Sequence, residues 1–425
     1  MRNAARKFLR QDNQDATKFE VFPLLLPLSA MAAPVSHPLL AVIYAFVLIP
    51  LIDMWTGDDK SAAHPGKLSV ETKVRIRIAH RRSMWALSHS LTRALHSFAK
   101  AHFRDLLKYY VFVHYAMLLT VMHAVCTSMT LSTLAIVGIV LSLGVGASMS
   151  FTVAHELVHS TDDTDRALSA ALLLPNFYMH WGRAHLQHHA HVGTQKDPTT
   201  SRKGETVYAF WVRSIVGNIV NAYAAEWKRP NGGRVITWIL APCALLLATF
   251  AAYGRSGAAV LLGQALVSVI MLETVNYIEH YGLVRESKGA VLPKHSWNSS
   301  TSYGANFYLA VTESFHCPVS LALLASRFDR QETPSRSTSS GTRITTRAPR
   351  NRACMMLTID TFRPPLTCLR VSALRNDRYY LLESIEDAPQ LPAGYPAMML
   401  LSLVPSVWFS TMDDRLDEWN GANRE

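Results

Sequence analysis

The sequence predicts an all-α integral membrane protein, with about six transmembrane helices in three hairpins and a histidine-rich site at their cytosolic ends. Three observations carry that prediction. The 425 residues are 49% hydrophobic. Apolar runs approaching or exceeding the roughly 20 residues a helix needs to cross a bilayer occur in pairs. Eight of the 18 histidines fall into three compact clusters at the ends of such runs.

Residues 1–20 form a polar tail without a convincing cleavable signal sequence, and 21–55 hold the first apolar pair, broken at Pro34 and Pro38 into a tight hairpin. A basic loop over 61–104 follows. Residues 108–127 and 131–153 make the second pair, split by Ser128-Met129-Thr130; 235–253 and 256–276 make the third, split by Tyr253-Gly254-Arg255. Segment 165–180 is too short to span and is expected at the interface or leading into a site. Segment 397–409, interrupted by Pro405, reads as an interfacial or docking helix. Lys67, Lys73, Arg75, Arg77, Arg81, Arg82, Arg93, Lys100, Arg104 and Lys108 precede the third span, so the positive-inside rule puts that loop, both termini and the histidine clusters on the cytosolic side.

The net charge of +11 does not imply a nucleic-acid partner, because the cations crowd into 61–108 and 310–378 without interleaved aromatics. Cys126, Cys243, Cys317, Cys354 and Cys368 contain no C-x-x-C pair, which argues against a disulfide framework, a zinc ribbon or an iron–sulfur site.

The first histidine cluster is His155-Glu156-Leu157-Val158-His159, whose spacing of four sets both imidazoles on one helix face. The second reads HWGRAHLQHHAH and contains His180, His185, His188, His189 and His191. The third is His280 in Asn276-Tyr277-Ile278-Glu279-His280-Tyr281-Gly282-Leu283. Imidazole suits iron, zinc or copper, and so many polar groups facing lipid would be expensive. Each cluster has a blander reading. H-E-x-x-H also occurs in soluble zinc proteases, a lone His280 is commonly an ordinary interfacial histidine, and His180 and His191 could be solvated or merely supporting. His37, His64, His80, His89, His96, His102, His114, His123 and His295 read as basic-loop or span-edge residues.

HELVH, then H-x-x-H-H followed by Val192-Gly193-Thr194-Gln195-Lys196-Asp197-Pro198, then NYIEHYGL and His295-Ser296-Trp297-Asn298-Ser299, together resemble the membrane alkane 1-monooxygenases of the fatty-acid desaturase-like superfamily. Leu48-Ile49-Pro50-Leu51-Ile52-Asp53 and Glu386-Asp387-Ala388-Pro389-Gln390-Leu391-Pro392 extend the resemblance, which covers about 20–60, 105–309 and 379–412. It implies a di-iron enzyme that hydroxylates a terminal C–H of an alkane or alkyl chain with O2. Matching positions give His155, His159, His185, His188, His189 and His280 as iron ligands and no other catalytic group. Glu156, His180, His191, Glu279 and Asp197 would be their supports. Electrons would come from a rubredoxin-type carrier and its NAD(P)H-dependent reductase, as separate proteins. The membrane would be the endoplasmic reticulum in a eukaryote or the cytoplasmic membrane in a bacterium.

Two departures stand out. The family usually has Glu before the first histidine of the second box and three residues before the His-His pair; here Ala184 precedes His185, and only Leu186-Gln187 intervene. The family also carries N-L-Q-R-H-S-D-H-H soon after the SWNS stretch. Here Asn306-Phe307-Tyr308-Leu309 is followed by 310–378, which contains 11 arginines, no lysine and the single His316. Permitted codons for Ser339-Ser340-Gly341-Thr342-Arg343-Ile344-Thr345-Thr346, read from the third base, give Gln-Arg-His-Ser-Asp-His-His. Segment 310–378 is therefore read as mistranslated or disordered, interrupting one hydroxylase domain whose parts are 21–309 and 379–425, and leaving the chain as written inactive or nearly so. The competing readings are a fatty acyl desaturase or hydroxylase, an intramembrane zinc protease using Glu156 as base, and a catalytically dead membrane protein.

Overall fold

The computed structural model describes residues 24–56, 85–285, 291–299 and 388–422. The described residues are helical throughout, without strands; the single β-bridge pairs Asn298 with Gln390. The readings of 1–20, of 310–378 as anomalous, and of the 61–84 part of the 61–104 basic loop fall outside the described residues.

Helix α1 covers 24–32. After a turn containing Pro34 and Pro38, α2 runs through Leu40–Ile43, the π-helical Tyr44–Leu48 and Ile49–Thr56. The widened turn lies immediately before Pro50, which has no N–H to give to the preceding turn. Two helices joined at this turn occupy the region read as a hairpin of two spans, but Leu40–Trp55 is shorter than the helices that could cross a membrane, and the described part of the first arm is about 13 Å long at 1.5 Å per residue.

Helix α3 is Trp85–Thr127, and neither glycine nor proline interrupts it. The basic segment therefore differs from expectation: from Trp85 onward it is not a loop but the N-terminal extension of the span. Helix α4, Thr133–Val158, starts from Ser132, whose side chain accepts from the Ala135 N–H. It is the centre of the bundle. Ser142 donates to the Pro38 carbonyl at 2.7 Å, and a Cβ on Gly144 would lie 2.4 Å from Cβ of Val267. A residue without a side chain there lets two helix backbones approach closely, as small residues do in membrane bundles.

Asp162 caps α5, Asp163–Leu173, by accepting from the Thr164 N–H; Ser169 then ties it to α4 through the Ala154 carbonyl. A 3-10 turn, Leu174–Asn176, leads to α6, Trp181–His191, in agreement with a short segment leading into a site. Helix α7, Val207–Trp227, was not anticipated. Its buried face carries Ser214, Asn218 and Glu226, while Val212, Val216 and Val220 are exposed, so the usual sign of amphipathicity is reversed. Helix α8, Val235–His280, kinks where Gly254 takes φ 64° and ψ −153°. Only glycine adopts that conformation readily, and the break divides α8 where the apolar pattern placed the turn of the third hairpin.

Three helices among the described residues are long and apolar enough to cross a membrane: Leu107–Thr127, Thr133–Val158 and the two-armed Val235–His280. The C-terminal part returns to the same core. Asn298 donates to the Pro389 carbonyl and accepts from Leu391 N–H, before α9 (Tyr395–Ser402) and α10 (Pro405–Ala422). Trp408, Met412 and Leu416 are buried, and Trp408 packs on Tyr277 and Tyr281. The expected docking helix over 397–409 is thus two short helices meeting just before Pro405.

Candidate metal centre

His155 lies in the last turn of α4 and His159 caps it, so their spacing sets the rings 4.8 Å apart on one face. The chain reverses through α5 and the 3-10 turn, and α6 returns across this helix end. With two residues between them and the His-His pair, His185 and His189 stand four apart on α6, in the same relation as His155 and His159. The two pairs face each other. The Nε2 atoms of His159, His185 and His189 lie 3.1, 3.2 and 2.9 Å from one another, and one ring nitrogen from each of the four histidines falls within 4.8 Å of the rest.

Nitrogens about 3 Å apart are what metal–nitrogen bonds of about 2.1 Å produce when they meet near right angles. The donor set therefore fits a metal ion. Burial, then the neighbouring His189, His155, His159 and His188, hold the His185 imidazole well below its ordinary proton affinity, which keeps its lone pair available. Trp181 stacks on His185 at 4.5 Å and meets Phe151 edge-on, which fixes the ring's plane. Glu156 is buried with an oxygen 3.4 Å from His155 Nδ1.

His188 is rotated away from that group and meets His280, from the end of α8, at 4.9 Å between ring centroids. The Nδ1 of each is held. His280 Nδ1–H donates to the His295 carbonyl at 3.1 Å. His188 Nδ1 faces Asp197 at 2.8 Å and the Thr199 hydroxyl at 2.6 Å. Thr199 donates to the other Asp197 oxygen and Thr200 donates to the first, so the carboxylate is enclosed by donors. Burial would push the Asp197 carboxyl up; His188 and the two hydroxyls outweigh it and hold the group well below the usual carboxylate range. An ionised partner on Nδ1 selects the tautomer whose Nε2 carries the lone pair, as supports of metal-binding histidines do. Glu279 lies 3.8 Å from His280 Nε2.

His180 and His191 do not join either group. His180 is buried against Tyr178 and Tyr223, and burial pushes its imidazole down to about 4. His191 Nδ1 donates to the Gln187 carbonyl of its own helix. His295, read as an ordinary loop residue, supplies the carbonyl that orients His280.

Sequence reasoning missed Arg285. Its guanidinium donates to the Val192 carbonyl at 2.8 Å and the Ala190 carbonyl at 2.9 Å, and its backbone N–H donates to Gly193 at 2.7 Å. A cation on the last carbonyls of α6 is favourable to the helix dipole and ties the end carrying His188 and His189 to the chain just after His280. These three acceptors are main-chain carbonyls, so no side-chain pattern signals them. Glu273 was missed for a related reason: its donors Tyr178, Ser214, Asn218 and Asn276 come from three separate segments.

Residues 131–317, which include all six of these histidines, match the fatty acid desaturase family. The chain is 28% identical to alkane 1-monooxygenase of Acinetobacter baylyi over 65% of its own length and 59% of the relative's. It is 30% identical to alkane 1-monooxygenase 2 of Alcanivorax borkumensis, over 67% and 64%. A shorter match, 31% over 39% of this chain and 48% of the relative, is to the xylene/toluene monooxygenase hydroxylase component of Pseudomonas putida. The chain thus spans about three fifths of the length of the alkane 1-monooxygenases it matches. Over residues 131–317 the chain is therefore similar to the fatty acid desaturase family, and alkane 1-monooxygenases are among its relatives.

Proposed function

We propose that the chain is the hydroxylase of a membrane di-iron monooxygenase, acting on a terminal C–H of an alkane or alkyl chain. The observation that carries this reading is the convergence of His155, His159, His185 and His189 beside the pair His188 and His280. The first four would hold one iron, and His188 and His280 would contribute to a second, completed by histidines of the third box. Bound iron would supply the redox chemistry for dioxygen, which zinc lacks.

The chain's own residues prepare that chemistry. Asp197 and the His295 carbonyl hold protons on Nδ1 of His188 and His280 and so aim their Nε2 atoms. Phe151, Trp181 and Leu157 exclude water from one side of the centre, and all three are buried. An alkyl substrate offers no polar handle, so the apolar helices behind the centre must orient it. The shorter relative supports a second reading of the substrate, the alkyl group of a substituted aromatic ring. A zinc protease needs only the HELVH pair and a third ligand, which leaves the inward-facing His185, His188 and His189 without a purpose. Electrons would arrive from a rubredoxin-type carrier reduced by an NAD(P)H-dependent reductase.

Replacing Asp197 with Asn is expected to weaken iron binding about 10–100-fold while the protein still accumulates, because the tautomer of His188 is then unfixed. Chelator competition on the purified protein measures this, and unchanged affinity would remove Asp197 from the site.

Six spans with the histidines on the cytosolic side complete the proposal. Lys108, at the edge of its span, lies 3.4 Å from Asp165, just beyond the end of α4 that carries His155 and His159. The basic extension of α3 therefore starts at the histidine end of the bundle. Protease reaching sealed vesicles from the cytosolic face is expected to cut within 61–104. Protection of that segment from this side overturns the orientation.

A further inference from the structure

Two polar side chains that the metal centre does not use are buried in the spanning part of α3. His114 is completely buried and Tyr110 is 3% exposed. They stand one turn apart on one face, with nearly parallel rings 6.3 Å between centroids. Among the described residues, neither ring nitrogen of His114 nor the Tyr110 hydroxyl has a hydrogen-bond partner. The neighbouring Tyr115 differs: its hydroxyl donates to the Ala171 carbonyl at 2.8 Å, while its ring meets His114 edge-on.

Reading His114 as a span-edge residue is therefore incorrect. Met117, less than one turn further along α3, sits where a Cβ of Gly146 would be 2.9 Å from its sulfur. Because α3 and α4 are antiparallel, His114 is level with about residue 149 of α4, some 9 Å deeper than His155 at 1.5 Å per residue. A neutral imidazole carries one N–H and one lone pair, and a phenol can both donate and accept. Leaving these atoms bare in apolar surroundings is expensive, and polar groups at this depth are the ones for which a function is the default expectation. Leucine and phenylalanine would fill the same volume without that penalty.

We propose that Tyr110 and His114 form a hydroxyl-binding subsite inside the helix bundle. Its occupant is a molecule with one O–H to donate to the imidazole lone pair and one oxygen to accept from the phenol or the ring N–H. Water meets that description. So does a primary alcohol, which, resting on the monooxygenase reading above, is the product made nearby. An alkane has neither group, so the subsite separates product from substrate and gives the alcohol a polar stopping point along α3.

The test is thermal melting of the full chain in detergent, with decanol or decane added, for the parent and for Tyr110→Phe, His114→Leu, His114→Gln and Tyr110→Phe/His114→Leu. Melting needs neither iron nor turnover, so its result stands apart from whether the metal reading survives. If alcohol is the occupant, decanol raises the parent's melting temperature more than decane does. The double variant loses that difference, and His114→Gln, which keeps a donor and an acceptor, retains it. If water is the occupant, decanol and decane act alike, yet Tyr110→Phe melts below the parent because the water has lost a partner. Should His114→Leu fail to accumulate, Tyr110→Phe and His114→Gln carry the same comparison. The proposal is overturned if Tyr110→Phe melts at or above the parent and no variant changes the response to decanol.

Discussion

Alanine at His155, His159, His188 or His280, introduced singly into a form of the chain with an intact third box, is expected to abolish bound iron and leave abundance in the membrane close to the parent's. The size of the effect follows from the geometry. Three Nε2 atoms lie about 3 Å apart around one point, so losing one removes one of the few nitrogen donors that a metal there would bind. His188 and His280 each have Nδ1 committed to a support, which leaves Nε2 for a metal. Abundance is expected to hold because the surrounding core does not depend on the imidazoles: Trp181, Phe151 and Leu157 remain packed. Alanine at His191 should retain most of the iron, because its ring is turned back onto Gln187. Alanine at His180 should also retain it, at some cost in stability from the space left against Tyr178 and Tyr223. Full hydroxylation and retained iron after His188→Ala would refute the assignment.

How much of this site is written in the sequence differs from residue to residue. The spacing of four in HELVH places two imidazoles together on any helix, and the same rule makes His185 and His189 a matching pair. That the two pairs face each other depends on α5 and the turn at Leu174–Asn176 reversing the chain, which no local pattern specifies. Asp197 was legible only through the VGTQKDP stretch that resembles the family, and its contact with His188 spans the end of α6. Arg285 was not legible, because it works through carbonyl groups. Helix α7 escaped notice because polar Ser214, Asn218 and Glu226 lie on its inward face, the first two hydrogen-bonded to Glu273 and the last facing Arg183, Arg229 and Arg234, while valines look outward. The break at Gly254 was legible, since that glycine punctuates two apolar runs that are otherwise continuous, and the structure kinks Val235–His280 there. His114 was misread for the opposite reason: a single histidine in an apolar helix looks incidental until its surroundings are known.

The authentic transcript is expected to encode the third histidine box in a shifted frame, with the reading shown across 310–378 arising from a retained intron or a sequencing or assembly error. Seven consecutive residues, Gln-Arg-His-Ser-Asp-His-His, emerge from permitted codons of Ser339–Thr346, at the place where the resemblance expects them. Codon degeneracy makes some of those matches free, but not the whole run together with the upstream Phe-Asn-Leu that codons for Arg336, Ser337 and Thr338 allow. The flanking fold is compatible with an interruption at this point. Asn298 and Gln390 are bridged, and Tyr395 donates to the Trp297 carbonyl, so the chain departs from and returns to neighbouring positions on one core. Lengthening a connection between adjacent ends costs little, because closure entropy grows only with the logarithm of loop length. The interruption would leave the six described histidines in place while removing those that complete the second iron position. A chain expressed from the restored frame is therefore expected to bind about two irons, as a two-metal site requires, and to hydroxylate alkanes in membranes. The chain as written is expected to bind iron poorly and turn over little or none. Sequencing the transcript across codons 305–385 decides the matter. Third bases at Thr342 and Thr345 that forbid the shifted box would end the idea, as would peptides from 330–350 of the native protein matching the sequence as written.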